Sequence, residues 1–147
     1  RRIAHKIKIA RQISTINTTY ELIDIVGDLA QKKHRNQFLA RVFQSIRIEV
    51  NDEISSLKEM LLSAVDLLNI KGRLVVLSYH SLEDRLVKNL IKKGNFEGRI
   101  EKDFFGNSIK NLTEINSKVI MASDSEIKNN SRARSAKLRI AAKIHDK

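Results

Sequence analysis

A chain of 147 residues, 41% hydrophobic and 31% charged, can bury one core and reads as a soluble globular domain or a piece of one. It has no cysteine, which excludes disulfides and thiolate metal sites and suits a reducing, cytoplasmic setting; no apolar run approaches the roughly 20 residues of a membrane span, and no signal-peptide pattern opens it. A net charge of +11 calls for an anionic partner, nucleic acid ahead of a membrane surface, with a Lys-rich solubilising surface as the plain alternative.

In chain order, Ile3, Ile7, Ala10 and Ile13 recur at helical spacing, with Arg2, Lys6, Lys8 and Arg11 on other faces. Thr18 and Glu21 form a capping-box pattern that opens a second helix holding Leu22, Ile23, Ile25, Val26 and Leu29, weakened late by Gly27. Gln31 to Gln37 is a basic connector. From Phe38 the periodicity returns through Leu39, Val42, Phe43, Ile46 and Val50. Arg41, Gln44, Arg47 and Asn51 share the polar face of that helix. They suit phosphates or base edges, or a neighbouring loop, and a buried structural role for at least one Arg is expected. Asn51 or Asp52 either starts a new helix or lies within a continuing one; Ile54, Leu57, Leu61, Ala64, Val65 and Leu68 make its apolar stripe.

The stretch Gly72 to Asp84, GRLVVLSYHSLED, is the most informative. Arg73 to Leu77 is an apolar, β-branched run of strand length. It is nearly continuous, as in a strand buried on both faces of a parallel sheet. Ser78, Tyr79, His80 and Ser81 follow. Ser81 with Asp84 reads as an N-cap and its acid at N3, opening a helix with Leu82, Leu86, Val87 and Leu90 inward, and Gly94 as its C′ residue. A polar cluster between a strand end and a helix is where open α/β sheets place their sites; the plain alternative is that His80 and Ser81 only cap the helix.

Asn95 to Asn111, with its FFG turn at Phe104 to Gly106, reads as a long loop. Val119 to Met121 reads as a short strand, and Ser123 with Glu126 as one helical turn. In the basic tail, Ala136, Leu138, Ile140, Ala142 and Ile144 alternate with Lys137, Arg139, Ala141 and Lys143, the pattern of a strand with one wet face. Arg132 and Arg134 just before it offer planar forks for phosphate, or for a carboxylate within the protein. His5, His34, His80 and His145 are too far apart for a local metal motif, and no Gly-rich nucleotide loop is present. The chain also opens on Arg1-Arg2 within a helical pattern, so an α/β enzyme built from it is expected to keep its cofactor half elsewhere.

FQSIRIEVNDE (Phe43 to Glu53), GRLVVLSYHSLEDRLVK (Gly72 to Lys88) and NSRARSAKLRIA (Asn130 to Ala141) occur in this order. Together they resemble the carboxyl-terminal half of the bacterial 16S rRNA (cytosine-N4)-methyltransferase family, the MraW-type enzymes. RRIAHKI at the start resembles the family's entry into its helical insertion. The resemblance spans nearly the whole chain and is weakest from Asn95 to Ser117. It departs from the family at Ile70-Lys71-Gly72, at Tyr79 before the His, and at Asn130-Ser131, where the family commonly has Pro-Gly-Gly, Phe and Asn-Pro.

The resemblance implies an α/β fold: the C-terminal part of a class I, Rossmann-like methyltransferase sheet (48–147) plus part of a helical insertion subdomain (1–47). It implies S-adenosyl-L-methionine as methyl donor and N4 of a cytosine in the decoding region of 16S rRNA as target. The family's cofactor contacts sit chiefly in the amino-terminal half, so no cofactor-binding residue is assigned here, and no metal. Ser78, His80 and Ser81 are expected nearest the base, with His80 relaying the N4 proton or holding the pocket's shape. Arg47, Asn51, Arg132 and Arg134 are expected to contact rRNA. The competing reading is a non-enzymatic basic RNA-binding module, although aromatics are only 5% and the basic tail has none. A homodimer covering an exposed sheet edge is a third.

Overall fold

The computed structural model describes residues 1–145, so the last positions of the 48–147 assignment lie outside it. The chain divides into two compact units, Arg1–Glu53 and Ile54–Lys147.

The first unit is helical. Helix α1 is Arg2–Ile13 and α2 is Thr19–Val26. The Thr18 hydroxyl accepts the Glu21 N–H at 3.2 Å, and the Glu21 carboxylate accepts the Thr18 N–H at 3.3 Å, so the expected capping box forms. Gly27 ends α2 and begins a 3₁₀ turn, Gly27–Leu29. Helix α3, Arg35–Val50, starts before the expected Phe38. Its core is Val26, Leu39 and Val42, with Ile3, Ile7, Leu22 and Phe38 packed around them. Arg41 and Arg47 are both exposed, so the buried role expected for an Arg of this face falls on neither. Neither shares the buried stripe of Leu39 and Val42, so neither guanidinium incurs a full desolvation cost, and that of Arg47 is held by the Glu53 carboxylate.

After α3 the backbone breaks at Asp52, whose φ is +48°, and helix α4 runs Glu53–Leu67. The second unit then contains β1 (Arg73–Ser78), α5 (Ser81–Lys93), β2 (Leu112–Glu114), β3 (Ile120–Met121), α6 (Asp124–Asn129), a 3₁₀ turn Ser131–Ser135 and β4 (Lys137–Lys143). Ser123 caps α6 by accepting the Glu126 N–H at 3.3 Å, as its spacing predicts. Strand β4 lies between β1 and β2 and also pairs with β3; every pairing is antiparallel. The core, Leu61, Val65, Leu74, Val87, Leu90, Ile91, Leu112 and Ala141, fills the space between α4, α5 and one sheet face.

Two strand expectations are corrected. β1 is not a doubly buried parallel strand: it pairs antiparallel with β4, and its residues alternate, with Leu74 and Ser78 buried while Val75 is 55% and Leu77 52% exposed. An unbroken apolar run carries no phase, so it cannot tell one covered face from two. In β4 the face expected to be wet is the inward one. Lys137, Arg139, Ala141 and Lys143 share their face with the buried Leu74, Ser78 and Leu112, and Lys143 is itself only 4% exposed. Each cation is met by an acceptor: Lys143 Nζ donates to the carbonyls of Asp66 (3.4 Å) and Leu68 (2.8 Å) at the C-terminal end of α4, where free carbonyls and the helix dipole favour a positive charge.

Candidate functional site

The site is built where β1 ends. Ser78 is buried, and its hydroxyl donates to the Lys137 carbonyl at a long 3.5 Å. Tyr79 is half-exposed. The N-cap of α5 is His80 rather than Ser81, and the N3 acid is Glu83 rather than Asp84. One Glu83 oxygen accepts the backbone N–H groups of Tyr79 (3.1 Å) and His80 (3.3 Å), fixing the turn between strand and helix. Ser81 is then the first helical residue and is exposed.

Of the residues expected inward, Val87 and Leu90 are buried and Leu86 is half-buried, while Leu82, in the first turn, is 40% exposed; Asp84 and Ile91 complete the buried stripe. A buried carboxylate needs partners, and β4 supplies them. Arg139 donates through Nε to Asp84 Oδ1 at 2.6 Å and through Nη2 to Oδ2 at 3.2 Å; Lys137 Nζ reaches Oδ2 at 3.3 Å. Burial pushes the Asp84 carboxyl up, but the hydrogen bonds and charges of Arg139 and Lys137 outweigh it and hold the group below its ordinary value. From sequence, Asp84 reads as a helix-capping acid and Lys137 and Arg139 as a wet strand face, and none of the three is expected at the site. Their signal is an acid three positions before Val87 on an otherwise apolar helix stripe, opposite two cations at i, i+2 on a strand.

The register brings further segments to this edge. Ser78 pairs with Lys137, and so does Met121 of β3. The turn Ser131–Ser135 therefore enters the sheet beside the end of β1. Within it Ala133 is buried while Arg132 and Arg134 on either side are exposed. The Asn130 side chain caps the turn by accepting the Arg132 N–H at 3.1 Å. Neither guanidinium has an ion pair among the described residues, so the carboxylate partner considered from sequence is not present there and both forks face outward.

Arg47 and Asn51 belong to the first unit and converge on one carboxylate. Arg47 donates through Nε (2.8 Å) and Nη2 (3.1 Å) to the two oxygens of Glu53, and Asn51 Nδ2 donates to Glu53 Oε1 at 3.3 Å. Among the described residues no group of three His, Cys, Asp or Glu side chains could hold a metal ion, and no helix is long and apolar enough to cross a membrane.

Comparison with known proteins decides the relationship. Residues 1–144 match the MraW methylase family. The chain belongs to that family. It is 50% identical over 144 residues to the ribosomal RNA small subunit methyltransferase H of Parabacteroides distasonis, covering 98% of this chain and 47% of that protein. The proteins of the same name from Bacteroides thetaiotaomicron and Flavobacterium johnsoniae are each 50% identical, over 97% of this chain and 47% of theirs. This MraW-family chain thus spans about half the length of the curated relatives it matches. Its mixed α/β architecture with a small antiparallel sheet agrees with part of the family's Rossmann-like methyltransferase fold.

Proposed function

We propose that the complete gene product is a cytoplasmic, S-adenosyl-L-methionine-dependent methyltransferase of small-subunit rRNA, and that it modifies N4 of a cytosine in the decoding region of 16S rRNA. The family match over residues 1–144 carries this reading. In it, residues 1–47 belong to the helical insertion and 48–147 to the C-terminal half of the catalytic domain.

S-adenosyl-L-methionine would supply an electrophilic methyl group. The described residues do not fit as its holder. The end of β1 reads Ser78-Tyr79-His80 without a glycine to admit a nucleotide closely, Glu83 is engaged by the backbone and Asp84 by two cations. We therefore assign this chain to the RNA side of the reaction. The cytosine amine is a weak nucleophile because its lone pair is conjugated with the ring, so the rate depends on alignment and on polar groups facing the developing charge. The base must also leave its stack. Ser81, exposed, and His80, half-buried, at the amino end of α5 are placed to meet it; His80 takes up the N4 proton or holds the pocket's shape. Ser78, turned inward, shapes the pocket from beneath. Arg132 and Arg134 bind backbone phosphates beside it, and Arg47 and Asn51 contribute from the helical unit.

The test is to incubate the complete gene product with small subunits lacking the modification and labelled S-adenosyl-L-methionine, then to locate the methyl group by mass spectrometry. N4-methylcytidine at one decoding-region position is expected; methylation of another atom or region, or none, would sink the reading. A non-enzymatic RNA-binding role is the second reading, favoured by the net charge of +11 and the outward arginines; it predicts RNA binding with no methyl transfer. The edge strand β1 would be covered by the rest of the gene product or by a second copy, which sedimentation would separate as monomer or homodimer.

A further inference from the structure

Phe104 and Phe105 are the most exposed aromatic residues among those described, at 99% and 84%. Their rings stand edge to face, 5.7 Å between centroids and 88° apart. The turn that carries them is tightly held. One Asp103 oxygen accepts the N–H groups of Phe105 (2.9 Å) and Asn107 (2.8 Å), and the other accepts the Asn107 amide at 3.2 Å. The backbone closes through Asp103 N–H to Asn107 O (2.9 Å) and Gly106 N–H to Asp103 O (3.0 Å), with Gly106 at φ +87°. Below the tip, Lys102 bridges to Ser108, and the Ile109 N–H donates to Glu101 O at 2.9 Å.

The rest of the segment is anchored as well. Asn95 accepts the Gly98 N–H at 2.9 Å and donates to Arg99 O at 2.8 Å; Asn89 donates to Phe96 O at 2.9 Å, and Phe96 packs on the core. A stretch without a helix or an extended strand is thus a built finger, and the two large apolar groups at its tip forgo burial. A fold gains nothing in stability from this arrangement.

We propose that Phe104 and Phe105 form a stacking platform for the nucleobases of single-stranded RNA. Flat aromatic faces accept any base, and a pre-ordered tip loses little freedom on binding. Arg99 and Lys102 are exposed on the same finger, in a chain of net charge +11. Of the finger's three acids, Asp103 is turned into its own turn, Glu101 accepts from the Asn95 amide at 3.3 Å, and Glu97 is exposed in the Asn95–Gly98 turn, away in sequence from the tip. The choice of RNA over another partner rests on the methyltransferase reading, while the test measures binding and not methyl transfer.

The experiment titrates the complete gene product against a fluorescent single-stranded oligouridylate and against the same strand with abasic sites, which keeps the phosphates and removes the stacking faces. Fluorescence anisotropy reads both. Wild type should prefer the base-bearing strand. The Phe104→Ser/Phe105→Ser protein should bind that strand about tenfold to a hundredfold more weakly, bind the abasic strand unchanged, and keep the same melting temperature and salt slope. Phe104→Trp should preserve the preference. Unchanged affinity for the base-bearing strand, or equal losses on both strands, would overturn the proposal. So would unchanged RNA binding with loss of self-association or of binding to anionic vesicles, which would assign the tip to a protein or lipid contact. Base preference without any rRNA methylation would retain the platform and reject the enzymatic reading; methylation without base preference would do the reverse.

Discussion

Arg139 on β4 and Asp84 on α5 share a two-point hydrogen bond, 2.6 and 3.2 Å long, with side chains only 13% and 10% exposed. This pair fixes the first turn of α5, and with it His80 and Ser81, to the central strand. Removing Asp84 strands Arg139 in the interior, whereas removing Arg139 leaves Asp84 with Lys137 at 3.3 Å. Asp84→Ala should destabilise the fold by about 3–5 kcal/mol and Arg139→Ala by less, each read as a fall in the urea midpoint at unchanged slope. Because both variants break the same contact, the double variant should lose much less than the two single losses added.

The same pair gives a pH dependence of known sign. Asp84 is held below its ordinary value in the folded state. Its contribution is therefore complete above the unfolded carboxyl pKa, about 3.9, and is lost as pH falls from there through the depressed folded value. Melting temperature followed from neutral to strongly acidic pH should drop over this window. In Asp84→Asn the part of the drop due to this group should vanish. An unchanged acid limb in that variant would show that other carboxylates dominate.

The readability of this chain differed by element. The capping box at Thr18 and Glu21, the Ser123 cap and the left-handed Gly94 were legible because each depends on residues close in sequence. The failures have a common physical origin. Lys137, Arg139 and Lys143 look like a wet face until Asp84 and the carbonyls ending α4 are brought against them, and those acceptors lie more than fifty residues away. Strand β2 has three residues and no pattern of its own; it exists by pairing with β4. At the candidate site the segment was legible but its register was not. Ser81 and His80 both sit before an acid at the right spacing, and the choice between them is made by Asp84 finding its cations. The Phe104–Phe105 pair was visible as a turn, while its exposure was not.

Two glycines in the left-handed region separate strain from crowding. Gly94 closes α5 at φ +75°, and a Cβ there would lie 2.3 Å from the Ile109 carbonyl oxygen and 3.0 Å from Lys110 Cα. Gly106, at φ +87°, has nothing within 4 Å of that position. Gly106→Ala should cost only the conformational penalty of about 1–2 kcal/mol. Gly94→Ala should cost more, since backbone must move to admit the methyl group. Chemical denaturation of both variants measures the difference; equal losses would mean that the Ile109–Lys110 segment shifts freely.

Arg132 and Arg134 point away from the protein, whereas Arg47 is clamped by both oxygens of Glu53. Phosphate binding should therefore draw unequally on them. Arg132→Ala and Arg134→Ala should each weaken RNA binding uniformly across sequences and flatten the plot of log affinity against log salt by about 0.7, with melting temperature unchanged. Arg47→Ala should change affinity less than either, because RNA must first displace Glu53 from that guanidinium. Salt-dependent binding isotherms for the three variants decide this. An Arg47→Ala loss larger than the others would mean that the Glu53 clamp opens on RNA, and that the helical unit supplies the main phosphate contact.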